Sequence, residues 1–200
     1  MENQEDHLEN RDLLPREQPT WLRPTKTIKA NIQVPEKARG EQSLFIAPFV
    51  ASPTPVVRQM LILSDLKPGE TLYDLGSGDG RAIIMAAKDF GAKSVGVELR
   101  EDLVKRALGN INELGLETKA KILQDDMFKI DLTQADVVFL YLTTSANEKV
   151  KPKLETELKP GARIVSHDYE VLGWKPYRID NFCENPRLGY PSHTLYVYKR

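Results

Sequence analysis

The apolar positions of this chain change rhythm along its length. Over residues 1 to about 44 they stand isolated among Glu, Gln, Asn, Arg and Pro (Pro15, Pro19, Pro24, Pro35) and follow no period. Such a stretch cannot bury enough surface to offset its ordering entropy, so it is expected to be mostly disordered, with a folded domain from residue 45 onward. There Pro-punctuated chain (Ala47 to Pro55) leads into a helix with Thr54 as expected N-cap, Pro55 in its first turn and Val56, Val57, Met60, Leu61 and Ile62 on its buried side. The pattern then alternates between short apolar runs and 3.6-period stripes. Thr71–Leu75, Ser94–Glu98, Ala120–Leu123, Ala135–Leu142 and Ala162–His167 read as strands. Arg81–Lys88, Arg100–Leu114 (Leu103, Ala107, Ile111 and Leu114 on one stripe) and Asn147–Leu158 (Pro152 near its start or at a break) read as helices. Ala135–Leu142 is apolar throughout, which fits a central parallel strand covered on both faces. Tyr177–Phe182 and Thr194–Tyr198 have no helical pattern between them and should pair antiparallel. The sum is an α/β fold: seven strands, mostly parallel, with helices on both faces and a C-terminal antiparallel pair.

The chemistry concentrates where the first strand ends. Tyr73-Asp-Leu-Gly-Ser-Gly-Asp-Gly80 places glycines at 76, 78 and 80 between a strand and a helix, so backbone can approach a ligand with no Cβ in the way. A dinucleotide fingerprint would read Gly-x-Gly-x-x-Gly. Here the third glycine comes one residue early, and Asp74 and Asp79 would face a pyrophosphate badly while suiting a sulfonium and an amino group. The loop therefore favours S-adenosyl-L-methionine over a dinucleotide or an empty turn. Glu98 closes the second strand; a parallel neighbour brings its carboxylate to the same crevice, where it can take ribose hydroxyls. The expected donor site is Asp74, Gly76, Ser77, Gly78, Gly80, Glu98, Leu99, Asp125, Asp126, Met127 and Tyr141, with either Asp125 or Asp126 toward the adenine. Together with the strand count this is the Rossmann-like, class I methyltransferase architecture, with the loop where strand order reverses.

Composition narrows the acceptor. The 28 basic and 29 acidic residues leave a net charge of −1, so no global field draws nucleic acid, and no nucleic-acid partner is expected. No run approaches bilayer length, the first residues are polar and acidic, and Cys183 stands alone. A cytoplasmic monomer without membrane contact is the expectation. His7, His167 and His193 show no metal-ligand spacing, and no metal is expected. Leu142-Thr-Thr-Ser145 stands where base-amine methyltransferases carry Asn/Asp-Pro-Pro-Tyr/Phe, and no Pro-Cys dipeptide supplies a nucleophile for cytosine C5. RNA or small-molecule methylation stays as the alternative enzyme, and a donor-binding interaction module as the non-enzyme.

Several stretches go beyond the glycine loop. Pro48-Phe-Val-Ala-Ser-Pro53, Val56-Val-Arg-Gln-Met-Leu61, Thr143-Thr-Ser-Ala-Asn-Glu148, Lys151-Pro-Lys-Leu-Glu155, and Ser166-His-Asp-Tyr-Glu170 with Gly173-Trp174 resemble the archaeal protein-lysine methyltransferases and their mitochondrial relatives, from Ala47 onward. More distantly the chain is similar to the non-SET histone lysine methyltransferases. Ala51 and Ser52 stand where that family usually has Pro and Thr, and Asp125-Asp126 replaces a Gly-polar pair. The resemblance implies a protein substrate methylated on lysine side chains. A lysine amine, with its pKa of about 10.4, must be neutral before it attacks, so aromatic walls with polar acceptors are the expected lining. Tyr141, Thr143 and Trp174 are the catalytic candidates, Tyr169 and Phe49 further lining, and His167 with Asp168 a candidate proton relay.

Overall fold

The computed structural model describes residues 50–184, 187 and 192–200, so Phe49 and the boundary expected near residue 44 lie outside the described residues. The elements in chain order are α1 (Thr54–Leu63), β1 (Thr71–Leu75), α2 (Arg81–Asp89), β2 (Lys93–Glu98), α3 (Glu101–Glu113), β3 (Ala120–Gln124), β4 (Val137–Leu140), α4 (Thr144–Glu157), β5 (Arg163–His167), β6 (Arg178–Cys183) and β7 (Ser192–Lys199). They build one seven-stranded sheet in the order β3-β2-β1-β4-β5-β7-β6. Strands β1 to β5 run parallel, whereas β7 is antiparallel to both β5 and β6. The reversal of strand order falls between β1 and β4, and the loops after those strands share one crevice.

Burial follows the sequence period. All four residues of β4 are buried, and Leu72, Phe139, Val165 and Val197 pack with Val57, Met60 and Leu61 of α1 and Ala82 and Ala86 of α2. The residues alternating with them, Val138, Ile164 and Tyr198, are buried as well, so the sheet is covered on both faces. A second cluster joins Ile83 and Ala87 of α2 to Val104, Ala107 and Ile111 of α3 and to Ala120 and Ile122 of β3.

Several element ends differ from the expectation for identifiable reasons. Helix α1 is capped by Pro53, not Thr54: the Val57 amide donates to the Pro53 carbonyl at 3.0 Å, so the first helical bond is made one residue earlier. Ile62 points to solvent, 55% exposed, because the buried face of α1 is already filled by its neighbours. Leu114 is likewise exposed, as the C-cap beyond the last turn of α3. Strand β4 stops at Leu140, leaving Tyr141 and Leu142 in the turn that follows. Helix α4 starts at Thr144, three residues before the expected Asn147, and carries Pro152 within it.

Candidate active site

The glycine loop is held by backbone bonds to β2 and by the packing of α3. Gly76 and Ser77 both donate to the Val97 carbonyl on β2, at 2.9 and 3.0 Å. Gly76, Gly78 and Gly80 all take positive φ. At Gly80 this is coupled to packing: a Cβ there would lie 2.8 Å from Ala107 Cβ on α3, so only glycine lets α3 close on the loop. Gly96 on β2 has ordinary backbone, but a Cβ would meet Ser77 Oγ at 2.5 Å and Ile122 Cδ1 at 2.8 Å. That vacancy is filled by Ser77, whose buried hydroxyl has no hydrogen-bond partner among the described residues.

The crevice so formed brings together Asp74, Gly76, Ser77, Gly78, Glu98, Leu99, Asp125, Met127 and Tyr141. Gly80 sits beneath it as the N-cap of α2. Asp126 is turned away into its own loop, its Oδ1 accepting from the Phe128 amide at 3.1 Å, so Asp125 is the acid that faces the crevice. Glu98 is braced by backbone: Oε2 accepts from Gly78 at 2.9 Å, and Oε1 accepts from Leu99 and Arg100, each at 2.9 Å. A carboxylate has about four acceptor positions, so about one remains for a ligand.

Asp74 and Asp79, both at the crevice, are driven in opposite directions. Burial, reinforced by the Glu98 and Asp79 carboxylates, pushes the Asp74 carboxyl up to about 7. Asp79 is held low by Arg81, which grips it with Nε at 2.9 Å and Nη2 at 2.7 Å. The sequence reading gave both Asp74 and Asp79 to a cationic ligand; Asp79 already has its cation. Arg81 Nη1 also donates to the Ser52 carbonyl at 2.8 Å, tying the segment before α1 across the loop. In the sequence Arg81 is legible only as part of a helix, since nothing in its spacing marks a bridge to a residue 29 positions earlier.

Of the catalytic candidates, Tyr141 lines the crevice. Its ring stacks on His167 with centroids 3.9 Å apart, and lies 6.4 Å from the Tyr169 ring. Burial and the nearby Asp168 push its hydroxyl up. Thr143 serves as N-cap of α4, accepting from the Ala146 amide at 3.3 Å. Trp174 is engaged elsewhere: its Nε1 donates to Glu155 at 2.8 Å and its ring meets Tyr198 edge-on at 5.6 Å. Among the described residues, neither Thr143 nor Trp174 lines the crevice.

Behind Tyr141 lies a polar cluster that linear spacing hid. His167 is fully buried, and burial drops its pKa to about 4. Its Nδ1 meets Ser52 Oγ at 2.9 Å and its Nε2 meets His193 Nδ1 at 2.8 Å. The two histidines are 26 residues apart and come together because β7 runs antiparallel beside β5.

Similarity to known proteins points the same way as the geometry. The family model of the ANTKMT methyltransferase domain matches residues 74–178. A protein-lysine N-methyltransferase of Saccharolobus islandicus (strain REY15A) is 44% identical over 152 residues, covering 76% of this chain and 92% of that protein. The adenine nucleotide translocase lysine N-methyltransferase of Mus musculus is 32% identical over 133 residues, 66% of this chain but 57% of that longer protein. Among solved structures, an RNA methyltransferase from Salinibacter ruber in complex with S-adenosyl-L-homocysteine superposes with a TM-score of 0.69 at 42% identity, over 75% of this chain and 93% of that one.

Proposed function

The chain belongs to the ANTKMT-type methyltransferase family, which uses S-adenosyl-L-methionine, and from that premise we propose that it methylates lysine side chains of a protein. The observation that carries the acceptor is the 44% identity with the archaeal protein-lysine N-methyltransferase, which extends over 92% of that protein. Two features of the crevice fit the donor: a buried Ser77 hydroxyl and an Asp74 carboxyl that find, among the described residues, no hydrogen-bond partner and no cationic partner respectively.

In this reading Asp74 meets the positive end of the donor, Glu98 takes a ribose hydroxyl at its remaining acceptor position, and Leu99 and Met127 flank the adenine with Asp125 at its edge. The donor supplies a methyl group on a sulfonium sulfur, which leaves as a neutral thioether; the protein supplies alignment for in-line attack. Neutralising a lysine at pH 7 costs roughly 4 to 5 kcal/mol, from a gap of about 3.4 pKa units. A wall built from Tyr141 lowers that cost by withdrawing water from the ammonium, and a nearby positive charge lowers it further. The stack on His167 holds the Tyr141 ring in place. A single cysteine suits a reducing compartment such as the cytoplasm.

RNA as acceptor is the second reading, favoured by the name of the Salinibacter ruber relative. Against it stand the net charge of −1 and the absence of a base-amine motif after β4. Labelled donor applied to a lysate before and after nuclease or protease separates the two. Label lost with protease and located by mass spectrometry on lysine ε-nitrogens is the expected result. Nuclease-sensitive label, or label on arginine or a carboxylate, would overturn the lysine acceptor.

A further inference from the structure

We propose that His167 Nε2, His193 Nδ1 and Asp168 Oδ2 form a binding site for one divalent transition-metal ion of the zinc class, at the seam between β5 and β7. The three atoms make a near-regular triangle. Its edges are 2.8 Å between the two nitrogens, 3.2 Å from His167 to Asp168, and 3.4 Å from His193 to Asp168. A metal bonded at about 2.0–2.1 Å needs ligand atoms about 2.9 Å apart in octahedral and about 3.4 Å apart in tetrahedral coordination. The observed edges span that range.

Hydrogen-bond accounting says which atoms are free to ligate. His193 Nε2 lies 3.0 Å from Glu184 Oε1. A carboxylate accepts, so the His193 proton belongs on Nε2 and the Nδ1 lone pair faces inward. His167 Nδ1 lies 2.9 Å from the Ser52 hydroxyl; when Nδ1 donates there, Nε2 also presents a lone pair. Asp168 Oδ1 is occupied by the Thr194 amide at 2.9 Å, leaving Oδ2. Three electron-rich atoms then converge with outer partners fixing each of them, which is how protein metal ligands are oriented. The competing arrangement reverses the Ser52 bond and places a single shared proton on His167 Nε2.

The backbone is bent to make this possible. Asp168 is a non-glycine residue at φ 59°, a left-handed conformation that costs roughly 1–2 kcal/mol. It is locked there by its amide donating to the Thr194 carbonyl at 2.7 Å. Strain of this kind persists where surroundings enforce it, and here it aims a carboxylate at two imidazoles. The donor set decides the ion class: two imidazoles and one oxygen suit zinc, nickel, copper or iron, while magnesium and calcium prefer all-oxygen sites. The site touches the crevice through the Tyr141 ring stacked on His167 and through Ser52. Its ion would therefore position Tyr141 without contacting the acceptor.

The test is metal uptake by tag-free, full-length protein stripped with a chelator. Zinc titrated against a chromogenic competitor should bind at one equivalent per chain. Cobalt should give a visible absorption band from nitrogen and oxygen ligation. His193→Gln and Asp168→Asn should each lower zinc affinity by more than Ser52→Ala, whose loss of an outer partner should cost about tenfold. Melting curves read whether each variant folds, and uptake by stripped wild type does not depend on them. Less than stoichiometric zinc in wild type at micromolar metal, or equal affinity in folded His193→Gln, would overturn the site in favour of the shared proton. The readout is metal content, so neither result depends on which acceptor is methylated.

Discussion

Asp74 shows how a single carboxyl ties pH to ligand binding. In the free protein it titrates near 7, raised by burial and by two neighbouring acids. A cationic ligand binds the carboxylate, so donor affinity should fall as pH drops below about 7, by up to tenfold per unit, and level off above it. Calorimetry with the methyl donor from pH 6 to 8 reads this, and Asp74→Asn should flatten the curve while weakening binding. Stability runs the opposite way. An acid raised on folding is more protonated in the native state, so its contribution is fully present below the unfolded value of about 3.9 and is lost as pH rises through about 7. Gly96 and Ser77 form the second residue-scale case. A methyl at position 96 needs the space of Ser77 Oγ, and Ser77 Cβ would still stand at 2.9 Å. Gly96→Ala should therefore destabilise by about 1–3 kcal/mol. Combining it with Ser77→Ala should recover part of the loss in a double-mutant cycle of melting free energies.

Helix α4 and its surroundings explain why some residues were legible in the sequence and others were not. The glycine loop and Glu98 were readable because their chemistry is local: turn, strand end and carboxylate lie within a few residues of each other. The start of α4 was not, since Thr143 was read for its place beside Tyr141 while its hydroxyl caps the helix. Thr143→Ala should accordingly lower the melting free energy by about 1 kcal/mol and leave turnover within a few fold. Trp174 lies apart from the crevice for a related reason. Its ring is captured by Tyr198 and its indole N–H by Glu155, partners that no local pattern announces. Asn147 is buried, and its amide donates to the carbonyls of Tyr169 and Glu170 at 3.1 and 3.3 Å, holding the chain after β5 against α4. Asn147→Ala removes both bonds, leaving the Tyr169 carbonyl only its bond from the Ser166 hydroxyl, and should cost about 1–3 kcal/mol, read by chemical denaturation. The Asn147 Oδ1 has no partner among the described residues, so part of the amide's burial is already uncompensated.

At the scale of the whole molecule, a mostly parallel seven-stranded sheet was legible because an alternating β-α pattern implies parallel neighbours, and the antiparallel pair needed only the missing helix between β6 and β7. The sequence did not carry which strand would lie between which. That detail juxtaposes His167 with His193, and it is why no ligand spacing was visible along the chain. If lysine is the acceptor, the whole assembly should show turnover rising with pH, approaching tenfold per unit below the amine's own pKa, in initial rates with saturating donor.

The same strand order sets a schedule for folding. β7 follows β6 in the chain yet lies between β5 and β6, so β6 meets no neighbour in the sheet until β7 arrives. Likewise β1 waits for β4 on one side, with two helices and two strands made in between. A nascent chain emerging residue by residue can assemble β1, β2 and β3 with α2 and α3 early, but β5 keeps an open edge until β7 is complete. A chaperone or a stray strand has that interval in which to bind β5, and a ribosome pausing between Cys183 and Ser192 would lengthen it.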